Sequence, residues 1–232
     1  MKQVILFFLI ILFNFSNAQK KELRKAQKLY DSGDLAGSEQ ILNEFESILE
    51  NIDDKLKPNY KLLKGKVAKD NKNFTAAFDI LMPLKGSKSI EEDLEHTLAL
   101  LAADIVNSAI DDNNKGNFKS SAEKLYLAYE VDKEQNVDYL YYAASSAVNA
   151  EEFEKSLSYY NLLKDMNYTG IVTKYFVTEV DSENEVEVTQ SEYDIYKKSK
   201  SYKDFREEKT ESKFPEIVKN IALIYAQLGD DD

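Results

Sequence analysis

Cysteine and tryptophan are absent from this 232-residue chain, proline occurs 3 times, glycine 7 times and histidine once. Each scarcity excludes something. Without cysteine there is no disulfide framework, no thiolate metal site, no cysteine nucleophile and no cysteine to carry a lipid behind a leader peptide. So little glycine and proline favours helix. Positive charge is also in short supply: 30 Lys and Arg stand against 42 Asp and Glu, a formal charge of -12. Nucleic-acid affinity rests on clustered Lys and Arg neutralising phosphates, so a nucleic-acid partner is not expected. What is present is 43% hydrophobic residue, enough to bury a real core in one domain or two small ones.

Val4 to Phe13 form an unbroken apolar run behind Met1 and Lys2, followed by Asn14-Phe15-Ser16-Asn17-Ala18-Gln19. The run is about half the length a spanning helix needs. Ser16 and Ala18 place small residues at the -3 and -1 positions of a cleavage site. Residues 1–18 are therefore expected to be an export signal removed after Ala18, the alternative being an uncleaved anchor. Removal takes away one Lys and no acid, leaving a charge of -13. The remainder is expected to be exported, periplasmic or cell-envelope associated or else secreted, with no stable membrane insertion.

From Gln19 onward apolar residues recur at helical spacing in blocks broken by similar turns. The recurring phrase is Gly33-Asp34-Leu35 with Ser38, Lys72-Asn73-Phe74 with Ala77, Gly116-Asn117-Phe118 with Ser121, and Glu151-Glu152-Phe153 with Ser156. Four residues beyond each small residue stands a large one (Leu42, Leu81, Leu125, Tyr160), and three further on another apolar one (Phe45, Leu84, Ala128, Leu163). Seven residues before each turn stands a small residue: Ala26, Gly65, Ala109 and Ala144. This pattern resembles the helix pair of a tetratricopeptide repeat. The starts of the phrase are 39, 44 and 35 residues apart, against about 34 in that family, so longer inter-repeat loops are expected. Asp112 falls where a large residue should pack, and the third first-helix is expected to run on before Gly116. A fifth first-helix follows over Pro215 to Asp230, with Ala222 at the small position, and Pro58 and Pro215 each open a first helix, where the missing N–H costs nothing.

The resemblance implies an all-α, tetratricopeptide-like solenoid. Its expected divisions are a leader over 1–18, helical repeats over 19–167, an insertion over 168–213 and a final repeat helix over 214–232. The insertion has a different composition. Residues 171–180 are rich in β-branched and aromatic side chains, 181–184 are polar, and 185–189 return to strand character, which reads as a β-hairpin. A lone hairpin is marginal in water, so one face, carrying Val172, Phe176 and Val180, is expected to lie on the helices. Ser191 to Ser212 is charged and reads as a long loop with one helical turn.

In that family the first helices line a concave groove. Carried over, the groove positions are Asn59, Leu62, Lys66, Lys69 and Asp70 in the second repeat and Asp138, Tyr141, Ser145, Val148 and Asn149 in the fourth. The residues taken as candidate groove contacts are Asn59, Lys66, Lys69, Tyr141, Ser145 and Asn149. Tyr139, Tyr141 and Tyr142 lie on one helix and Tyr159 and Tyr160 on its partner. Adjacent residues do not share a helix face, so one of each neighbouring pair is expected to point outward.

Reactive constellations are lacking. His96, on a helix among carboxylates, has no second histidine and no cysteine to share a metal, and reads as solvated. Asp111-Asp112-Asn113-Asn114-Lys115-Gly116 fails as a calcium loop because Lys115 takes a ligand position and Ala122 stands where the bidentate Glu belongs. Gly65-Lys66 lacks the upstream glycine of a phosphate loop, and the sequons at Asn73 and Asn167 are uninformative. No catalysis and no cofactor are expected. The leading expectation is a scaffold that holds a peptide or protein partner. A glycan-capturing envelope protein using exposed tyrosines is the alternative.

The apolar residues of the last helix (Ile217, Val218, Ile221, Leu223, Ile224, Tyr225, Leu228) are spread over more than one face. Leaving such a face bare costs about 1.5 to 3 kcal/mol per large side chain. A covered surface through Ile221, Ile224 and Leu228 is therefore expected, by a second copy, another protein or further repeats. The alternative is that the insertion folds over it.

Overall fold

In this computed structural model residues 18–46 and 53–229 are described. The apolar run Val4 to Phe13, expected to belong to an export signal, lies outside the described residues, as do residues 47–52 and Asp230 to Asp232. The described chain is mainly helical with one small antiparallel sheet, and its Cα packing divides it into two compact units, Met1–Tyr139 and Leu140–Asp232. No helix among the described residues is long and apolar enough to cross a membrane.

The first unit holds α1 (residues 18–31), α2 (Leu35–Glu46), α3 (Lys57–Asp70), α4 (Phe74–Leu81), α5 (Glu91–Asn114) and α6 (Phe118–Val131). Two short 3-10 turns, Met82–Leu84 and Lys88–Ile90, join α4 to α5. Pro58 sits in the first turn of α3, as its fixed φ favours. The helices pair α1 with α2, α3 with α4 and α5 with α6, and the pairing follows from the sequence pattern. Ala26, Ala77 and Ala109 are completely buried, as are Ser38 and Ser121. Gly65 in α3 lies so close to Leu81 of α4 that an added β-carbon would collide with the leucine side chain. Small residues therefore sit where two helix backbones approach. The large residues fill the layers between them. Leu23, Ile41, Leu42, Phe45, Tyr60, Leu63 and Val67 form one apolar cluster, and Leu62, Phe74, Leu81, Leu84, Leu94, Leu98, Leu101 and Ile105 belong to another.

The turns are alike in hydrogen bonding as well as in sequence. The amides of Asp34, Asn73 and Asn117 donate to the carbonyls of Leu29, Ala68 and Asp112, and Glu152 of the second unit does the same to Ala147. In each, the preceding residue is left-handed: Gly33 (φ 84°), Lys72 (59°), Gly116 (78°) and Glu151 (59°). This bonding closes a helix by satisfying its last carbonyls, and it requires a positive φ. As expected, α5 runs on to Asn114. Asp112 fills its interior position with hydrogen bonds rather than bulk, accepting from Lys124 Nζ and Ser120 Oγ, each at 2.6 Å.

The boundary between the units falls in α7 (Val137–Asn149). The second unit continues with α8 (Phe153–Asp165), β1 (Thr173–Glu179), β2 (Glu185–Val188), α9 (Gln190–Tyr196), β3 (Tyr202–Lys209) and α10 (Phe214–Leu228). Ala144 and Ser156 are fully buried between α7 and α8, where Ser156 Oγ donates to the Ala144 carbonyl at 2.9 Å. The helix α10 begins at a proline-containing first turn and packs on α8.

Two expectations for the insertion are corrected. The hairpin is a three-stranded sheet in the order β2-β1-β3, because residues 191–212 form α9 and an edge strand rather than a long loop. The edge strand pairs antiparallel with β1 and carries exposed charge pairs in place of apolar alternation: Arg206 bonds Glu185 at 3.0 Å and Lys203 bonds Glu183 at 3.0 Å. Thr189 and Glu192 cap α9 reciprocally, which starts that helix in an otherwise polar stretch. The buried face is also the opposite one. Val177 is fully buried, whereas Val172 and Val180 are exposed and Phe176 lies under the Arg206 guanidinium at 4.2 Å. The sheet finds its cover within the insertion, where Tyr193 of α9 meets Tyr175 (ring centres 4.9 Å apart) and Phe205 (5.5 Å).

Candidate functional site

The first unit carries a cleft of about 700 Å³ beside the first half of α5, within the usual size range of ligand clefts. Leu94, Leu98 and Ala102 rise from α5 to form its floor, joined by Val131 at the end of α6 and Tyr139 at the start of α7. Ala99 and Ala103 are exposed on α5, and their lack of bulk keeps the space open. Glu91 and Glu95, one helical turn apart, and Asp132, beyond α6, stand around it. Asp132 is fixed by its own loop, accepting from the amides of Glu134 and Gln135 at 3.1 Å each. Lys85 also lines the cleft, and its ammonium donates to the Val131 carbonyl, next to Asp132, at 2.9 Å. Asn136 Nδ2 donates to the Ala128 carbonyl at 2.9 Å, pinning the loop that carries Asp132. The site is therefore a preformed cleft of mixed polarity, with a partly apolar floor and an acidic rim.

The groove positions carried over from the sequence lie elsewhere. Asn59 is exposed in the first turn of α3. Lys66 is half-buried and paired with Asp93 of α5 at 3.0 Å. Lys69 is buried, bonded to Asp70 and, at 3.1 Å, to Asp104 of α5. Burial disfavours its charge, yet the bonds to the two carboxylates overcome that and raise its pKa above the ordinary lysine value. Asp70 also accepts from Tyr30 of α1 at 2.7 Å. Burial and this carboxylate push the Tyr30 phenol far up. A polar line thus runs from Tyr30 of α1 through Asp70 and Lys69 of α3 to Asp104 of α5, and Lys66 makes a separate bridge from α3 to α5.

In the second unit, Tyr141 is 9% exposed and sits in an aromatic cluster, with ring centres 5.5 Å from Tyr142, 6.5 Å from Tyr160 and 6.2 Å from Tyr168. The Lys213 ammonium lies 4.2 Å from the Tyr141 centroid and 4.8 Å from that of Tyr142. Burial, with a hydrogen bond to Glu216, raises the Tyr141 phenol strongly. Ser145 is half-buried and bonded to Tyr160, and Asn149 is exposed at the end of α7. The expectation that each neighbouring tyrosine pair sends one ring outward holds for Tyr142, which is 46% exposed. It fails for Tyr159 and Tyr160, both buried, because α8 has α7 on one side and α10 on the other. Tyr160 accepts from Asn220 of α10 at 3.0 Å.

The apolar face of α10 through Ile221, Ile224 and Leu228, for which a cover by a second copy, another protein or further repeats was expected, is largely covered by α8 of the same chain. Ile221 and Ile224 are buried, with Ile217, on the side facing α8, and Leu228 is half-buried. The exposed apolar residues are Val218, Leu223 and Tyr225, and Ala222, expected at a helix contact, is exposed with them.

Among the described residues no group of three His, Asp or Glu side chains is arranged to hold a metal ion. His96 is exposed on α5, beside a shallow recess lined by Lys88, Ser89 and Glu92. The cleft was missed in the sequence because its parts come from three separate stretches. The one readable signal is the pair of small, exposed residues Ala99 and Ala103 on an otherwise apolar and acidic helix. No protein-family model matches the chain, and no curated protein sequence does.

Proposed function

We propose that this chain is an exported, tetratricopeptide-like scaffold of the cell envelope that holds a protein or peptide partner. The observation that carries the reading is the fourfold recurrence of one helix pair. Each copy has a buried small residue on both helices and the same left-handed turn with the same hydrogen bond. Helix pairs that repeat in this way stack their apolar layers on their neighbours, so the array is read as a solenoid. Such arrays act by surface complementarity, and the scaffold reading assigns the chain no reaction and no cofactor. Export rests on the apolar run Val4 to Phe13 and the Ser16-Asn17-Ala18 ending. The preformed trough beside α5 is where a partner would seat a segment of chain. If α10 also joins a second copy or a partner, the side chains available for it are Val218, Leu223 and Tyr225.

A glycan-capturing reading would use exposed tyrosines as stacking platforms. Tyr141, Tyr159 and Tyr160 are buried, Tyr139 is half-buried and Tyr142 alone among them is exposed, so these helices offer one ring rather than a platform, which favours the protein-holding reading. Placing a photo-crosslinking amino acid at Ala99 in producing cells tests it. A discrete protein adduct is expected from that position and none from Glu154, which is exposed on α8. Absence of an adduct at position 99, or equal adducts from both, overturns the reading.

A further inference from the structure

We propose that the cleft beside α5 takes a basic segment of its partner: a lysine or arginine side chain against the acidic rim, with a neighbouring aliphatic side chain on the floor. This rests on the protein-holding reading above and names the chemistry of what is held. The floor gives a limited apolar area, from the half-buried Tyr139 and the outer edges of the buried Leu94 and Leu98, and apolar area alone does not choose a partner. The rim does. Glu91 and Glu95 lie four residues apart on one helix face, where like charges repel. Neither has an ion-pair partner among the described residues. Asp132 joins them with its carboxylate held in place by two backbone amides. Among the described residues Lys85 is the one cation in the lining, its ammonium donating to the Val131 carbonyl next to Asp132, and one cation against three carboxylates leaves the rim net acidic. An acidic peptide, a terminal carboxylate or a phosphate entering the trough would meet three carboxylates. A basic side chain relieves the repulsion between Glu91 and Glu95 and is drawn in from a distance by a chain of formal charge -12. The side chain must also be flanked by an apolar one, since a hydrophilic polycation would leave the floor uncovered.

The test is fluorescence anisotropy with the protein recovered from cells expressing the full chain. The probes are a labelled Lys-Leu-Lys-Leu-Lys peptide, its Glu-for-Lys counterpart and its Ser-for-Lys counterpart. Saturable binding of the lysine peptide is expected, at least about ten-fold tighter than either counterpart and weakening with salt. Glu91→Gln and Glu95→Gln should each weaken it about three-fold and the double variant about ten-fold, the range of partly exposed charge pairs. Ala99→Trp, which fills the trough from an exposed helical position, should abolish it. All three sites are exposed on α5, so circular dichroism should be unchanged. Equal binding of an uncharged or acidic peptide overturns the charge assignment and leaves the protein-holding reading standing. Lysine-peptide binding indifferent to the Gln variants and to Ala99→Trp overturns the location. No peptide binding at all overturns the proposal, while the adduct from position 99 decides the broader reading separately.

Discussion

The amide of Asn73 donates to the carbonyl of Ala68 across 2.9 Å, and this bond forms only because Lys72 between them is left-handed, at φ 59°. Gly33 and Gly116 occupy the same place in two other copies, with nothing within 4 Å of where a β-carbon would sit. The four turns therefore differ in the conformational cost of one residue, which is about 1 to 2 kcal/mol for a side chain held left-handed.

Lys72→Gly and Glu151→Gly are expected to stabilise the protein by about 0.5 to 1 kcal/mol each, part of the relief being lost to the flexibility of glycine in the unfolded chain. Gly33→Ala and Gly116→Ala should destabilise by about 1 kcal/mol. Thermal unfolding of the four variants checks this, and the signs should sort by turn residue alone.

The buried serines at the helix contacts should separate in the opposite way. Ser156 donates to the Ala144 carbonyl, whereas the hydroxyls of Ser38 and Ser121 are buried without a partner. Ser156→Ala is expected to cost about 1 kcal/mol, and Ser38→Ala and Ser121→Ala to be neutral or stabilising by about 1 kcal/mol. Chemical denaturation midpoints give the comparison.

Tyr141 was a candidate groove contact by register, and its burial among Tyr142, Tyr160, Tyr168 and Lys213 makes it a packing residue. Tyr141→Ala is expected to cost about 3 kcal/mol of stability. Tyr142→Ala, at the exposed side of the same Lys213 ammonium, should cost about 1 kcal/mol or less. A tolerated Tyr141→Ala would contradict this placement.

The helix pairs were legible because close backbone approach permits only small residues, and Ala26, Gly65, Ala77, Ala109 and Ala144 announce it without any structural information. The first two strands were legible from β-branched residues. The third was not, since Tyr202 to Lys209 is mostly charged, and its backbone pairing with β1 and its ion pair from Arg206 to Glu185, two strands away, leave no periodic mark. The groove lysines were located on the correct helix, but their acidic partners Asp93 and Asp104 stand 27 and 35 residues away in sequence. Asp70, next to Lys69, is the one local partner, and neighbours in a helix do not ordinarily face each other, so it gave no warning that Lys69 is engaged.

Asp112 supplies a pH dependence. Its hydrogen bonds from Lys124 and Ser120 lower its pKa below the ordinary 3.8. A carboxylate with a depressed folded value contributes stability above the unfolded pKa, and the contribution is lost as pH falls through the folded one. Asp112→Asn should therefore be less stable than the parent at neutral pH. The difference should shrink below about pH 3.8, as unfolding curves across that range would record.

The most direct measurement is amide hydrogen exchange of the purified protein, alone and with the partner recovered from the position-99 adduct added back. The account expects slowed exchange over residues 91–103 and 131–139, the two stretches that bring Glu91, Glu95, Ala99, Asp132 and Tyr139 to one trough. Protection confined to the sheet at 173–209 or to α10, with the α5 cleft exchanging as in the free protein, would contradict it.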